Sequence, residues 1–266
     1  MDYSKDYYTM PIPFLTSCNI TEYDISKANI SILLASGLIT QEEYNNILKM
    51  PRMQRQVYIG KMEARDSNIT KALKNGFMKY RKMLIESNGL TDNDILSIKK
   101  DAIFVINKTL SILEFDNCIR FVPKNHYTSY FKIRGMEFYY LLDKFNDIEN
   151  LDVKGIGDKK LLLHAEYMVQ FLCIIFEALN DRTPESVMDL IAKFGKKYLN
   201  KELELGYYRE FNTDSCYRVS ANNTQYLLDF ALESEKPYLN ITENYKLIQE
   251  LYQIASLLYS SNFRKR

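Results

Sequence analysis

The sequence predicts an α+β protein: a mixed antiparallel sheet with packed helices, followed by a mostly α-helical C-terminal region. Three observations carry this. Residues 20–25 alternate Ile20, Glu22 and Asp24 with Thr21, Tyr23 and Ile25 as a half-buried strand does, and Ile30, Leu33, Leu34 and Leu38 then recur near helical spacing. Residues 120–140 alternate aromatic and polar side chains on each side of Arg134-Gly135, the sequence mark of a hairpin. From about Lys160 onward the apolar period is helical. The character of the chain changes over 146–160, where Gly155 and Gly157 sit among charges, so an α+β domain is expected over 1–150 and a helical domain over 151–266.

Taken in order, residues 1–13 read as an arm closed by Pro11-Ile12-Pro13, a stretch that cannot be helical. The strand and helix just described follow and end at Gly37. Residues 41–50 form a short polar helix behind Thr40, an N-cap with Glu43 at the capping-box position, and Pro51 stops it. In residues 52–68, Arg52, Arg55, Lys61 and Arg65 recur at near-helical intervals against one nearby acid, Glu63, until Asp66. The strongest helix runs from about Asn68 to Glu86. Ile69, Leu73, Phe77, Tyr80 and Leu84 make its stripe, Lys71, Lys74, Lys79 and Arg81 cover its other faces, Gly76 is its weak point and Asn88-Gly89 closes it. Residues 95–106 read as a strand pair or a bent strand, apolar on both sides of Lys99-Lys100-Asp101. Lys124 and Tyr127 fall in the first arm of the hairpin. Helices are then expected over 161–179, 184–199, 224–232 and 242–263, with Pro184 in a first turn.

The composition bounds what such a protein does. Its 266 residues are enough for a sizeable core, and 35 basic against 34 acidic side chains leave a net charge of +1, so a nucleic-acid partner has to be held by a local patch. Cys18, Cys118, Cys173 and Cys216 are scattered, with neither a CxxC pair nor a histidine at zinc-ligand spacing, which argues against a disulfide framework or a zinc site. The start, MDYSKDYY, has no apolar signal region, and the longest apolar stretch, 167–179, is broken by Gln170 and Glu177 and too short for a bilayer. A soluble cytoplasmic protein is expected, without membrane association. The absence of tryptophan, the 21 tyrosines and the abundance of Asn, Ile and Lys look like translation of an AT-rich genome and suit a virus or phage of a low-GC host.

Two carboxylates stand out as candidate site residues. Asp24, at the end of its strand, either caps the helix that follows or holds a hard cation at the sheet. Asp101 interrupts an apolar run, where an unpaired charge is costly, so it needs a cation, a metal or several donors beside it. The basic segment between them is either a solvated helix face or a phosphate clamp. Lys124 and Tyr127 either decorate an exposed hairpin or contact a nucleic-acid backbone.

In this order, the segments resemble the palm of template-directed DNA polymerases of the A and B families, over roughly residues 14–140. Asp24-Ile-Ser-Lys-Ala-Asn-Ile-Ser31 is similar to motif A, written D-x-x-S-L-Y-P-S in family B and D-Y-S-Q-x-E-x-R in family A; Asn29 stands where family B has the tyrosine that stacks under the incoming sugar. Residues 52–60 have the layout of K-x-x-x-N-S-x-Y-G, with Arg52 at the Lys, Gln56 at the Asn and Gly60 at the Gly. Residues 100–105 are similar to the second half of D-T-D-S-I-F-V or to H-D-E-L-V-F, with one of the two acids kept, and Lys124-Asn-His-Tyr127 resembles the K-K-R-Y segment that contacts the primer strand.

The resemblance implies a palm-like sheet and a reduced polymerase-like nucleotidyltransferase of DNA replication, extending a primer on a nucleic-acid template. Asp24 and Asp101 would bridge two Mg²⁺ ions ~4 Å apart, which stabilise the attacking and leaving oxygens of in-line phosphoryl transfer. Arg52, Arg55, Lys61 and Arg65 would hold the nucleoside triphosphate, and Lys124 with Tyr127 the primer–template. The helices after residue 150 would stand where a thumb belongs or dock a protein partner. Two alternatives stay open: a non-catalytic, degenerate palm that binds nucleic acid or a replisome partner, and an unrelated phage structural or interaction protein.

Overall fold

In the computed structural model, residues 6–145, 147–155, 165–208, 218–221, 224–227, 238 and 241–263 are described. The chain divides into two units: Met1–Ile12 with Ser17–Thr128, and Pro13–Thr16 with Ser129–Arg266.

The first unit holds β1 (Tyr7–Thr9), β3 (Ile20–Ile25), α1 (Ala28–Ala35), α2 (Gln41–Leu48), α3 (Arg52–Arg65), α4 (Ser67–Ser87), β4 (Ile95–Lys99), β5 (Ala102–Ile106), β6 (Glu114–Phe115) and β7 (Ile119–Tyr127). Local chemistry sets the helix starts. The Thr40 hydroxyl accepts from the Glu43 N–H at 3.2 Å while the Thr40 N–H donates to the Glu43 carboxylate at 2.7 Å, the expected capping box. Asp66 caps α4 by accepting from the Asn68 N–H at 2.8 Å.

The α4 stripe of Ile69, Leu73, Phe77, Tyr80 and Leu84 is buried as its spacing predicts. Arg81 departs from expectation. It lies one turn after Phe77, on the same stripe, and its side chain is fully buried. Gly76 is a packing device as well as a weak point: a Cβ there would lie 2.2 Å from Ile32 Cγ2, so α1 reaches α4 because none is present.

The six strands run in the order β1-β4-β5-β3-β7-β6, every neighbouring pair antiparallel. Two expectations are corrected here. Residues 7–9 are not a free arm: β1 pairs with β4, Tyr7 opposite Lys99, because an extended Tyr-Tyr-Thr run completes that sheet edge. Lys124 and Tyr127 are not in a hairpin arm around Gly135 either, since β7 pairs with β3 and β6. Alternation marks strands but not their partners. The strand pair expected over 95–106 forms as β4 and β5.

The second unit holds β2 (Phe14–Leu15), β8 (Ser129–Ile133), β9 (Met136–Leu142) and β10 (Ile148–Lys154) in the order β10-β9-β8-β2, then a π-helical turn (Ala165–Val169), α5 (Gln170–Asp181), α6 (Pro184–Leu199) and α7 (Ile241–Phe263). Arg134 and Gly135 turn β8 into β9 with φ values of 50° and 76°, as a two-residue hairpin loop demands. Phe131 stacks between Phe138 and Phe176, each centroid 4.3 Å away, and anchors this core.

The helix expected over 224–232 is corrected. Thr224–Leu227 is a strand, β12, antiparallel to β11 (Arg218–Ala221), and 228–232 lie outside the described residues. Two β-favouring tetrads separated by Asn222-Asn223 outweigh a short helical spacing. Residues 161–164 of another expected helix, and Cys216, also lie outside. Cys18, Cys118 and Cys173 stand outside any disulfide. The fold is α+β with a helical C-terminal region, as the sequence predicts, and no helix among the described residues is long and apolar enough to cross a membrane.

Candidate functional site

Strand β3 lies inside its sheet, between β5 and β7. Alternation sends Tyr23 and Ile25 into the helix-covered core, and Glu22 and Asp24 to the other face. Asp24 does not cap α1: the N-cap is Lys27, without a side-chain cap bond. On one side Asp24 is opposite Ala102, so Asp101 stands next to that pair, half-buried in the two-residue turn between β4 and β5.

On the other side a β-bulge decides the geometry. Glu22 pairs with Asn125 and Tyr23 with Pro123, which leaves Lys124 as the extra residue. Pro123 is tolerated because a bulge interrupts the ladder there. The bulge aims Lys124 back over β3, with its ammonium 3.3 Å from Asp24 Oδ2 and 3.7 Å from Glu22 Oε1. The Asn125 amide donates to Glu22 Oε2 at 2.5 Å, so the Glu22 carboxylate, 2% exposed, is held from two sides.

The charges respond to this crowding. Burial, then the neighbouring Asp101 charge, pushes the Asp24 carboxyl above its ordinary range, against the pull of Lys124. Burial draws Lys124 down, but Glu22, Asp24 and Asp101 outweigh it and hold the ammonium above its ordinary range. Asp24 Oδ1 is buried and has no hydrogen-bond partner among the described residues. A buried carboxylate oxygen without a donor, beside a second carboxylate, favours a cation.

Asp24 and Asp101 offer oxygen donors of the type that suits Mg²⁺, which commonly uses one or two carboxylates and takes its remaining ligands from water and phosphate. Among the described residues no group of three or more His, Cys, Asp or Glu side chains is arranged to hold a metal ion. Both Glu22 oxygens are engaged, one by Lys124 and one by Asn125, whereas Lys124 reaches only Oδ2 of Asp24, which leaves Asp24 Oδ1 and Asp101 as the candidate donors.

Of the eight residues singled out in the sequence, Asp24, Asp101 and Lys124 come together here. Tyr127 is fully buried and stacks with Phe104 at 6.4 Å. The four cations of α3 do not share a face. At about 100° per residue, Arg52 and Arg55 lie within about 40° of Ile59, while Lys61 and Arg65 lie about 160° and 120° from it. Ile59 is the buried residue of α3; Arg52, Lys61 and Arg65 are exposed like Met53, Val57 and Tyr58, and Arg55 is half-buried.

Glu22 and Asn125 are site residues that sequence reasoning passed over. Glu22 was legible as the residue two before Asp24 on the same strand face; Asn125 becomes legible only once Pro123 is read as a bulge.

The family model described as "Bacteriophage PBS1 gene 130 protein" matches residues 2–257. The chain belongs to that family. A comparison with curated proteins finds no match. Membership in the PBS1 gene 130 family agrees with the phage origin suggested by the composition, and its description carries no chemistry. In this member of the family, reactive side chains meet at the acid pair and its lysine.

Proposed function

We propose that this phage protein is a reduced, palm-like nucleotidyltransferase that extends a primer on a nucleic-acid template in the host cytoplasm. The observation that carries the reading is the convergence of Asp24, from the end of one strand, and Asp101, from the turn opening its neighbour, beside a buried carboxylate oxygen without a donor. Mg²⁺ bound there would supply charge stabilisation for in-line phosphoryl transfer. The protein's part is positional. Asp24 and Asp101 offer the oxygens and Lys124 balances their charge, while Arg52, Lys61 and Arg65 of α3, whose Ile59 packs in the core on the sheet face opposite Asp24, are exposed cations for a nucleic-acid backbone. Asp24→Asn and Asp101→Asn should each abolish Mg²⁺-dependent incorporation of labelled nucleotide while the far-UV spectrum stays native. Wild-type protein that incorporates nothing on any primed template, with no metal-dependent thermal shift, would overturn the reading.

Lys124 favours a second reading. Its ammonium already supplies the acids with a positive charge, as expected of a non-catalytic palm that binds nucleic acid or a replisome partner, the latter through its C-terminal helices. Lys61→Glu combined with Arg65→Glu would then remove salt-dependent binding of a single-stranded oligonucleotide, and Asp24→Asn would leave it unchanged.

A further inference from the structure

We infer that Arg81 is a positioning residue for the acid pair: its buried guanidinium fixes the turn that presents Asp101 beside Asp24. The inference rests on reading that pair as a divalent-cation site. The turn has only two residues, Lys100 and Asp101, because Lys99 already pairs with Ala102. Lys100 sits at φ 56°, as a two-residue hairpin loop demands but at a cost for a side chain with a Cβ, and contacts around the turn help to hold it there.

Three contacts do so. Arg81 Nη1 donates to the Lys100 carbonyl, the Lys100 N–H donates to the Asp6 carbonyl at 2.7 Å, and the Lys100 ammonium lies 5.2 Å from the Phe77 ring centroid. Arg81 Nη2 also donates to Asp6 Oδ1 at 3.2 Å, which closes a ring through Arg81, Lys100 and Asp6. Phe77 and Arg81 are one turn apart on α4, so a single helix grips Lys100 at its ammonium and at its carbonyl. The gripped carbonyl belongs to the peptide that joins Lys100 to Asp101. A rotation of that peptide would swing the Asp101 carboxylate away from Asp24.

A buried arginine is ordinarily a costly group, and an ion pair with a partly exposed Asp6 does not by itself require one. What the guanidinium adds is its planar fork, which serves a carbonyl and a carboxylate together. Lysine, with one point charge, cannot hold both in the same geometry.

The test uses the full chain, with Mn²⁺ as the probe, followed by calorimetry and by hydrogen exchange over residues 99–103. Arg81→Lys is expected to weaken Mn²⁺ binding about tenfold or more, as loss of a supporting partner around a metal site does, and to speed exchange in the turn. Leu84→Ala, which loosens the same helix without touching the turn, should leave the Mn²⁺ affinity within about twofold, a contrast a merely structural role would not produce. If Arg81→Lys does not fold, Asp6→Asn weakens the same ring from its other side and should show a smaller loss in the same direction. Wild type and the folded variant binding Mn²⁺ equally well would overturn the role of Arg81 and leave the acid pair standing. Wild type binding no Mn²⁺ would remove the acid-pair reading and this inference with it.

Discussion

At the scale of the residue, Asp24 is a carboxylate in an environment that disfavours its charge. Its folded-state titration is raised by burial and by Asp101. Between the ordinary aspartate value, about 3.9, and that raised value, the folded protein binds more protons than the unfolded chain. Asp24 therefore favours folding most at the acidic end of the window, and its contribution falls as pH rises through the folded value. At neutral pH Asp24→Asn should raise the unfolding temperature, and the gain should shrink as pH is lowered towards 4; an Asn variant less stable than wild type at pH 7 would refute this. The trade is common where a group is kept for chemistry at the expense of stability. Lys124 gives the complementary expectation. Because its ammonium competes with any cation for the same carboxylates, Lys124→Met should tighten Mn²⁺ binding, read by the same calorimetry, and a weaker affinity would make the lysine a supporting group instead.

At the scale of the element, α1 and α4 show how packing overrides propensity. Gly76→Ala would ordinarily stabilise a helix interior by about 1 kcal/mol. Here the added methyl would overlap Ile32, so a net loss of about 1–3 kcal/mol is expected. In an Ile32→Ala background the loss should largely vanish, and urea unfolding of the four proteins measures that coupling. Helices of the first unit were legible in the sequence where caps and stripes are local: Thr40 with Glu43, and the run from Ile69 to Leu84. Strand partners were less so. The alternation through residues 120–140 runs without a break, but β7 pairs with β3 and only β8 and β9 form the hairpin, a choice made by contacts far apart in sequence. The site divides the same way. Asp24, Asp101 and Lys124 could be picked out one by one as charges in or beside apolar strands, whereas their meeting depends on register and on a bulge. Arg81 was hidden because a charge on a long helix reads as surface, although its spacing of four from Phe77 puts it on the buried stripe.

At the scale of the whole molecule, the two hydrophobic cores formed by the described residues share no residue. One runs from Tyr23 to Phe121 in the first unit, the other from Phe131 to Ala255 in the second. The chain passes between the units three times, because Pro13–Thr16 belong with Ser129–Arg266, so no single cut separates them cleanly. A truncation ending at Thr128 would keep β2 but lose β8, its partner strand. Point substitutions are the better probe. Phe176→Ala removes the ring stacked on Phe131 and should cost about 3–5 kcal/mol in the second unit. Phe77→Ala should cost a similar amount in the first, where Phe77 is buried in the α4 stripe. With separate cores, hydrogen exchange after Phe176→Ala should accelerate in β8, β9 and α5 while β3 and β5 keep their protection, and Phe77→Ala should reverse that pattern. Equal acceleration in both sets of strands would mean that the cores open together.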